Sequence, residues 1–283
     1  MNCEKVSREI IDWLTDYNNN EAKTKGFIVG VSGGVDSALV STLCAMTGIE
    51  TTLIEMPINR KQSSIPERSE NHCKWLVAKY SNVSWYKEDL SLAYNSFVNG
   101  FKIKGTQLAD ANTASRCRMV TLFYYANTFD CLVVGTGNKI EDGRGIGFCT
   151  VGGDLTVSMN PIGDLMKSEV RELASFLGVS EDIVKAIPTD ELWGDTRSDE
   201  DQIGASYDDL EWAMKVLESL NGGQKMFVKK YIKDHGNLEG ACVNIYEEMS
   251  CDQKKVFNIF MNRHVKNEFK NNVPPICYIS EKD

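Results

Sequence analysis

Residues 26–46, GFIVGVSGGVDSALVSTLCAM, pass from an apolar stretch through a glycine pair straight into a second apolar stretch. The first reads as a strand over 27–31 and the second as a helix over 36–46. A strand that ends on glycines and opens at once on a helix is the first half of a βαβ unit, and chains built this way close into parallel sheets covered by helices. The pattern repeats, with apolar strand candidates at 51–57, 83–88 and 131–136 and helix-like segments at 67–80 and 113–129. Before it, Val6, Ile10, Trp13 and Leu14 mark an amphipathic N-terminal helix. Beyond Gly143 glycine-rich loops take over, Val170, Leu173, Ala174 and Leu177 restart a helix, and the chain after Ser206 reads as helical. The expected fold is α/β: a doubly wound, mostly parallel sheet with helices on both faces and a helical C-terminal part. No repeat or Pro/Gly/Ser linker interrupts it, so 1–283 is expected to be a single domain.

With 283 residues, 42% of them hydrophobic, the chain can bury a substantial core. Its net charge of −9 excludes a broad electrostatic grip on nucleic acid. Nine cysteines are scattered without a C-x-x-C pair, the usage of a reducing compartment. No apolar run reaches membrane-spanning length, so the expectation is a cytoplasmic protein with no membrane partner. His72, His235 and His264 form no triad or metal motif, which leaves surface or packing roles.

In a parallel sheet the ligand crevice lies beyond the carboxyl ends of the strands, where a loop enters the next helix with outward N–H groups. Gly30, Val31, Ser32, Gly33, Gly34, Val35, Asp36 and Ser37 occupy that place, and glycines, hydroxyls and the helix dipole together suit a phosphate. A kinase-type P-loop needs a lysine after its glycines, and none follows here. An acid stands in the cradle instead. A carboxylate beside polyphosphate requires a cation between them, which makes Asp36 a candidate Mg²⁺ ligand; the plainer reading has Asp36 or Ser37 capping the helix.

The loop resembles the ATP pyrophosphatase loop of enzymes that transfer AMP and release pyrophosphate, and further stretches resemble one branch, the NAD synthetases. NTASRCRM at 112–119 is similar to their N-x-x-A-R-x-R-M, VVGTGNKIE at 133–141 to V-G-T-x-N-x-x-E, NPIGDLMK at 160–167 to N-P-I-G-D-L-x-K, and PTDELW at 188–193 to P-[ST]-x-x-L-W. The resemblance covers about 26–212 and implies an adenine nucleotide alpha hydrolase-like fold, ATP and Mg²⁺, and a homodimer. It also implies a reaction. The carboxylate of deamido-NAD attacks the α-phosphate of ATP, pyrophosphate leaves, and ammonia displaces AMP to give NAD. The implied ATP contacts are the loop, Thr136, Lys167 and Thr189; Glu141 joins Asp36 on Mg²⁺; Arg116 and Lys270 meet deamido-NAD. No glutaminase domain accompanies these motifs, so free ammonia is the implied nitrogen source.

Bland readings stand beside several of these roles. Arg116 falls on the helical stripe of Met119, Val120 and Phe123, where a charge at a helix end can also snorkel. Glu141 can be a solvated helix residue, and Lys167 and Lys270 surface charges. SDEDQIGASYDDLE at 198–211 resembles an acidic family segment and equally reads as a helix start capped by Ser198. Asp154 can attract ammonium and take the proton that must leave before attack, or it can bond its own turn. Three positions depart from the family: Val151 where a substrate-binding lysine is common, Ser158 where an aspartate is common, and Phe269 where a histidine is common. They leave two alternatives, an amide ligase of the same fold for another carboxylate and a non-catalytic nucleotide-binding protein.

Overall fold

The computed structural model describes residues 1–59, 65–142, 145–189, 198–241 and 244–271. Gly143, Leu192, Trp193 and the tail with Pro274 lie outside the described residues. The chain forms two compact units, Met1–Lys139 with Cys149–Tyr207, and Ile140–Phe148 with Asp208–Asp283.

The first unit is built on β1 (Gly26–Gly30), β2 (Glu50–Glu55), β3 (Val83–Lys87) and β4 (Cys131–Val134). These form one parallel sheet in the order β3-β2-β1-β4. Each strand is a short run of β-branched and apolar residues, and residues 157–159 extend the sheet through a bridge from Met159 to Val134. Its helices are α1 (Cys3–Asp16), α2 (Val35–Met46), α3 (Ile65–Lys79), α4 (Ser91–Asn99), α5 (Gln107–Phe129), α6 (Lys167–Phe176), α7 (Glu181–Val184) and α8 (Asp199–Ile203).

Alternation along the strands sends side chains to two cores. Phe27, Val29 and Leu53 face a cluster with α1, α2, α3 and α6, while Ile28, Ile54, Met56 and Val133 face Met119 and Leu122 of α5. Helices therefore cover both faces, as the alternating pattern predicts. The helix after the glycine loop, α2, is buried on nearly every side, Asp36 and Met46 being the exceptions, which suits its almost uniformly apolar sequence. From β1 the chain runs outward to β2 and β3, and β4 then lies on β1's other side. The order reverses between β1 and β4, and a doubly wound sheet holds its ligand crevice at that switch point.

The second unit carries α9 (Tyr207–Ser219), of which Tyr207 itself falls in the first unit, then α10 (Gly222–His235), α11 (Asn244–Glu247) and α12 (Cys251–Asn267). Its helix starts are set by capping boxes, Asn221 with Gln224 and Ser250 with Gln253. Phe257 and Phe260 are wholly buried within it. Three side chains on one face of α12 and its continuation grip three successive carbonyls. His264 Nδ1 meets Gly145 O at 2.8 Å, Asn267 Nδ2 meets Ile146 O at 2.9 Å and Lys270 Nζ meets Gly147 O at 2.7 Å.

Two expectations need correction. The inward stripe of α5 runs through Ala111, Ala114, Ser115, Met119, Leu122 and Ala126, so Arg116 and Val120 are exposed on the opposite side. The cause is the weak amphipathicity of α5, which leaves its phase undetermined; the helix also begins at Gln107, six residues before the expected 113. The helix α4 carries no sequence signal of its own, because it buries none of its residues.

Candidate active site

The glycine loop is braced by its own serines. Ser37 Oγ donates to Gly34 O at 3.0 Å and accepts from Ser32 N at 3.2 Å; Gly34 N donates to Ser32 Oγ at 3.2 Å. Gly33 has φ +91°, a conformation that side-chain-bearing residues rarely adopt. Ser37 is buried and holds the loop's shape, whereas Ser32 is exposed. Gly34 starts α2 without a side-chain cap, so the cap reading of Asp36 or Ser37 does not hold in that form.

Asp36 is reached from two distant places. Asn138, four residues past β4, donates from Nδ2 to its Oδ1 at 3.0 Å. Lys167 donates from Nζ to its Oδ2 at 2.6 Å, with the lysine side chain 4% exposed and the aspartate 15%. Lys167 is the first residue of α6, and its ammonium also lies 4.8 Å from the centroid of the Tyr207 ring. Tyr207 is buried and donates its hydroxyl to Asp199 Oδ2 at 3.4 Å. Thr136 lies two residues past β4 and Thr189 precedes α8 by ten residues, both half-buried.

Sequence reading found Asp36 and Lys167 but missed Asn138, Tyr207 and Asp199. Asn138 is the asparagine of the V-G-T-x-N-x-x-E stretch, and that was the available signal. For Tyr207 the signal was a buried aromatic beside the capped acidic segment. That segment does start a helix as expected, with Ser198 Oγ accepting from Asp201 N at 3.0 Å.

A second group lies along α5. Asp154 Oδ1 accepts from Ser115 Oγ at 2.7 Å and Thr150 N at 3.1 Å, closing the 150–154 turn onto the helix, while its residue stays exposed. A β-carbon at Gly153 would meet Ser115 Oγ at 2.3 Å, so the turn has no room for another residue there. Arg116 Nε donates to Val151 O at 3.2 Å. Ser158 Oγ accepts from Val133 N at 3.2 Å and Ser158 N donates to Val133 O at 2.9 Å, so this serine joins the segment to β4. In the second unit Glu141 is half-buried, with its carbonyl accepting from Phe148 N at 2.7 Å, and Lys270 is the residue bonded to Gly147 O. Two of the histidines, His72 and His264, are buried while His235 is exposed; His72 Nε2 lies 2.9 Å from Ser41 Oγ, and burial lowers its pKa to about 4.

An anion-shaped loop at the switch point, with a buried lysine and a carboxylate facing each other beside it, is equipment for polyphosphate chemistry. The NAD synthase family model matches residues 6–274. The chain belongs to the NAD synthase family. Among relatives, the NH(3)-dependent NAD(+) synthetase of Archaeoglobus fulgidus is 37% identical over 228 residues, covering 77% of this chain and 85% of that protein. The one from Methanococcus aeolicus is 33% identical over 221 residues, covering 77% and 84%. Among solved structures, NH3-dependent NAD synthetase from Campylobacter jejuni, in complex with the nitrate ion, is 26% identical with a TM-score of 0.73 over 98% of this chain and 100% of that one. NMN synthetase from Francisella tularensis shares the fold, at 24% identity and a TM-score of 0.79 over 99% and 100%. Of the three positions in this NAD synthase family member expected to depart from the family pattern, Val151 and Phe269 are exposed and Ser158 is half-buried.

Proposed function

We propose that the chain catalyses the ATP-dependent amidation of deamido-NAD to NAD with ammonia. The observation that carries this reading is the approach of Lys167 to Asp36 beside the glycine loop, within a chain of the NAD synthase family. The loop N–H groups and α2 dipole bind the phosphates, and Lys167 stabilises negative charge on the α-phosphate as the nicotinate carboxylate attacks and pyrophosphate leaves. Ammonia then attacks the acyl carbon, AMP departs, and the proton lost from nitrogen passes to a base, assigned to Asp154. Thr136 and Thr189 are assigned to ATP; Arg116 and Lys270 are assigned to the dinucleotide.

The donor set fits Mg²⁺ in one specific way. No group of three His, Cys, Asp or Glu side chains that could hold a metal occurs among the described residues, so the ion is suited to arrive with ATP, filling its shell with phosphate oxygens and water around a hard carboxylate. Asp36 is assigned to it, and Glu141 is assigned by its motif. When bound, the ion supplies neutralisation of polyphosphate charge.

The whole chain, 1–283, acts as one NAD synthetase-like domain and pairs as a homodimer. The support for pairing is a set of apolar side chains on and beside α4 and α5, among them Leu92, Phe97, Ile103, Leu108, Val120 and Tyr124, left exposed in the single chain. A cytoplasmic setting accords with the seven described cysteines standing outside any disulfide. No helix among the described residues is long and apolar enough to cross a membrane.

Product analysis with deamido-NAD, Mg-ATP and ammonium tests the reaction: NAD, AMP and pyrophosphate form in equal amounts, and release of ADP and phosphate refutes it. A second reading, an amide ligase for another carboxylate, is favoured by Val151 standing exposed where the family commonly has a lysine. Nicotinate mononucleotide in the same assay separates the two by kcat/KM.

A further inference from the structure

Lys167 sits where a cation is least welcome. It is buried, which penalises its charge, and it opens α6, whose N-terminus carries the positive end of the helix dipole. Glu169 eases the second problem only for the backbone, accepting from Met166 N at 2.8 Å. The ammonium's own compensation includes Asp36 at 2.6 Å and the Tyr207 ring at 4.8 Å. These partners differ in kind. A carboxylate accepts hydrogen bonds and competes with phosphate for the same N–H donors. A ring face attracts the cation through its quadrupole and takes none of those donors. Once Asp36 turns to a metal ion, as the function above assigns, its attraction for Lys167 is shared, and the ring is a partner that stays.

The ring is itself held. Its hydroxyl donates to Asp199 Oδ2 at 3.4 Å, and Tyr207 N donates to Glu200 Oε1 at 3.0 Å, both on α8. Asp199 N in turn donates to Pro188 O at 3.0 Å, beside Thr189. The face that meets Lys167 is therefore fixed from behind, through the segment that follows the Thr189 motif.

We propose that Tyr207 is a positioning residue for adenylyl transfer, its ring holding the charged Lys167 Nζ in place while leaving the donors open to phosphate. This rests on the proposed function. Tyr207→Leu removes the face and Tyr207→Phe keeps it. In single-turnover pyrophosphate release with deamido-NAD and Mg-ATP, Tyr207→Leu lowers the rate roughly 30-fold, the equivalent of a desolvated cation–π contact, and Tyr207→Phe restores most of it. The KM for ATP moves less than kcat, because the loop amides still bind the phosphates. In a Lys167→Met background, Tyr207→Leu costs no further rate. Additive losses, or equal damage from Tyr207→Phe and Tyr207→Leu, overturn the proposal.

Circular dichroism checks folding, and Tyr207→Met serves if the leucine variant does not fold. Calorimetric titration with magnesium pyrophosphate needs no turnover and keeps the two readings apart. Tighter binding by wild type and Tyr207→Phe than by Tyr207→Leu supports the Tyr207 role even if no NAD is made, a result that would refute only the function. Equal binding by all three, with NAD formed normally by Tyr207→Leu, refutes the role and leaves the function.

Discussion

The Asp36–Lys167 pair should respond unequally to the loss of either member. Asp36→Asn leaves an ammonium that is only 4% exposed at the positive end of α6 without the Asp36 carboxylate. Removing one partner of a buried pair costs about 3–5 kcal/mol, and the helix dipole adds to the penalty. Lys167→Met leaves the carboxylate instead, which is 15% exposed, still accepts from Asn138 Nδ2, and lies in the first turn of α2, where the dipole favours an anion. Its cost is the lost charged hydrogen bond, roughly 1–3 kcal/mol. The double variant replaces both charges with neutral groups of similar size and should fall short of the summed single losses by at least ~2 kcal/mol. Urea denaturation followed by far-UV circular dichroism measures the three, and hydrogen exchange at α2 and α6 amides ties the loss to this unit. All three variants should release pyrophosphate far more slowly than the wild type yet at a rate still measurable in single turnovers, which separates the pair's chemistry from its contribution to stability. A Lys167→Met protein less stable than Asp36→Asn, or additive losses, would refute the electrostatic reasoning.

Other outcomes follow from single contacts. Asp154→Asn should preserve adenylate formation and slow amidation at least tenfold if the carboxylate handles the ammonium proton; equal loss of both half-reactions would assign it to the 150–154 turn that it already closes. His72, whose pKa burial lowers from 6.5 to about 4, contributes stability that is fully present above pH 6.5 and lost as pH falls toward 4, because the unfolded chain takes the proton first. The loss amounts to about 3 kcal/mol, and a His72→Gln protein should show a flatter pH–stability curve in thermal melts. Lys270→Ala should raise the KM for deamido-NAD more than that for ATP if the lysine serves the dinucleotide; unchanged constants with a lower melting temperature would leave it as the anchor of Gly147 O.

The glycine loop and the strands around it were legible because their signals are local. A turn at φ +91° demands glycine, a fully buried helix demands an unbroken apolar run, and short β-branched runs between helices read as a parallel sheet. The phase of α5 was not legible. Its alanines, serines and threonines carry little hydrophobic contrast, and only packing against Ile28, Ile54 and Val133 decides which face turns inward and that Arg116 turns out. Ser158 was read by its type alone, yet its hydroxyl is spent on the β4 backbone, a pairing between residues 25 apart.

By itself, then, the sequence determined the alternating architecture, the anion-binding loop and the acid within it, since each follows from residues that are neighbours along the chain. The tertiary structure decided what meets that acid. Asn138 and Lys167 lie 102 and 131 residues beyond Asp36, and only the reversal of strand order between β1 and β4, with α6 folding back on α2, brings them to its two oxygens. Whether a lysine is a solvated surface charge or a buried cation facing a carboxylate and a ring depends on what surrounds it. No spacing in the chain encodes that, because the energy of a charge is set by its neighbours in space and by its distance from water.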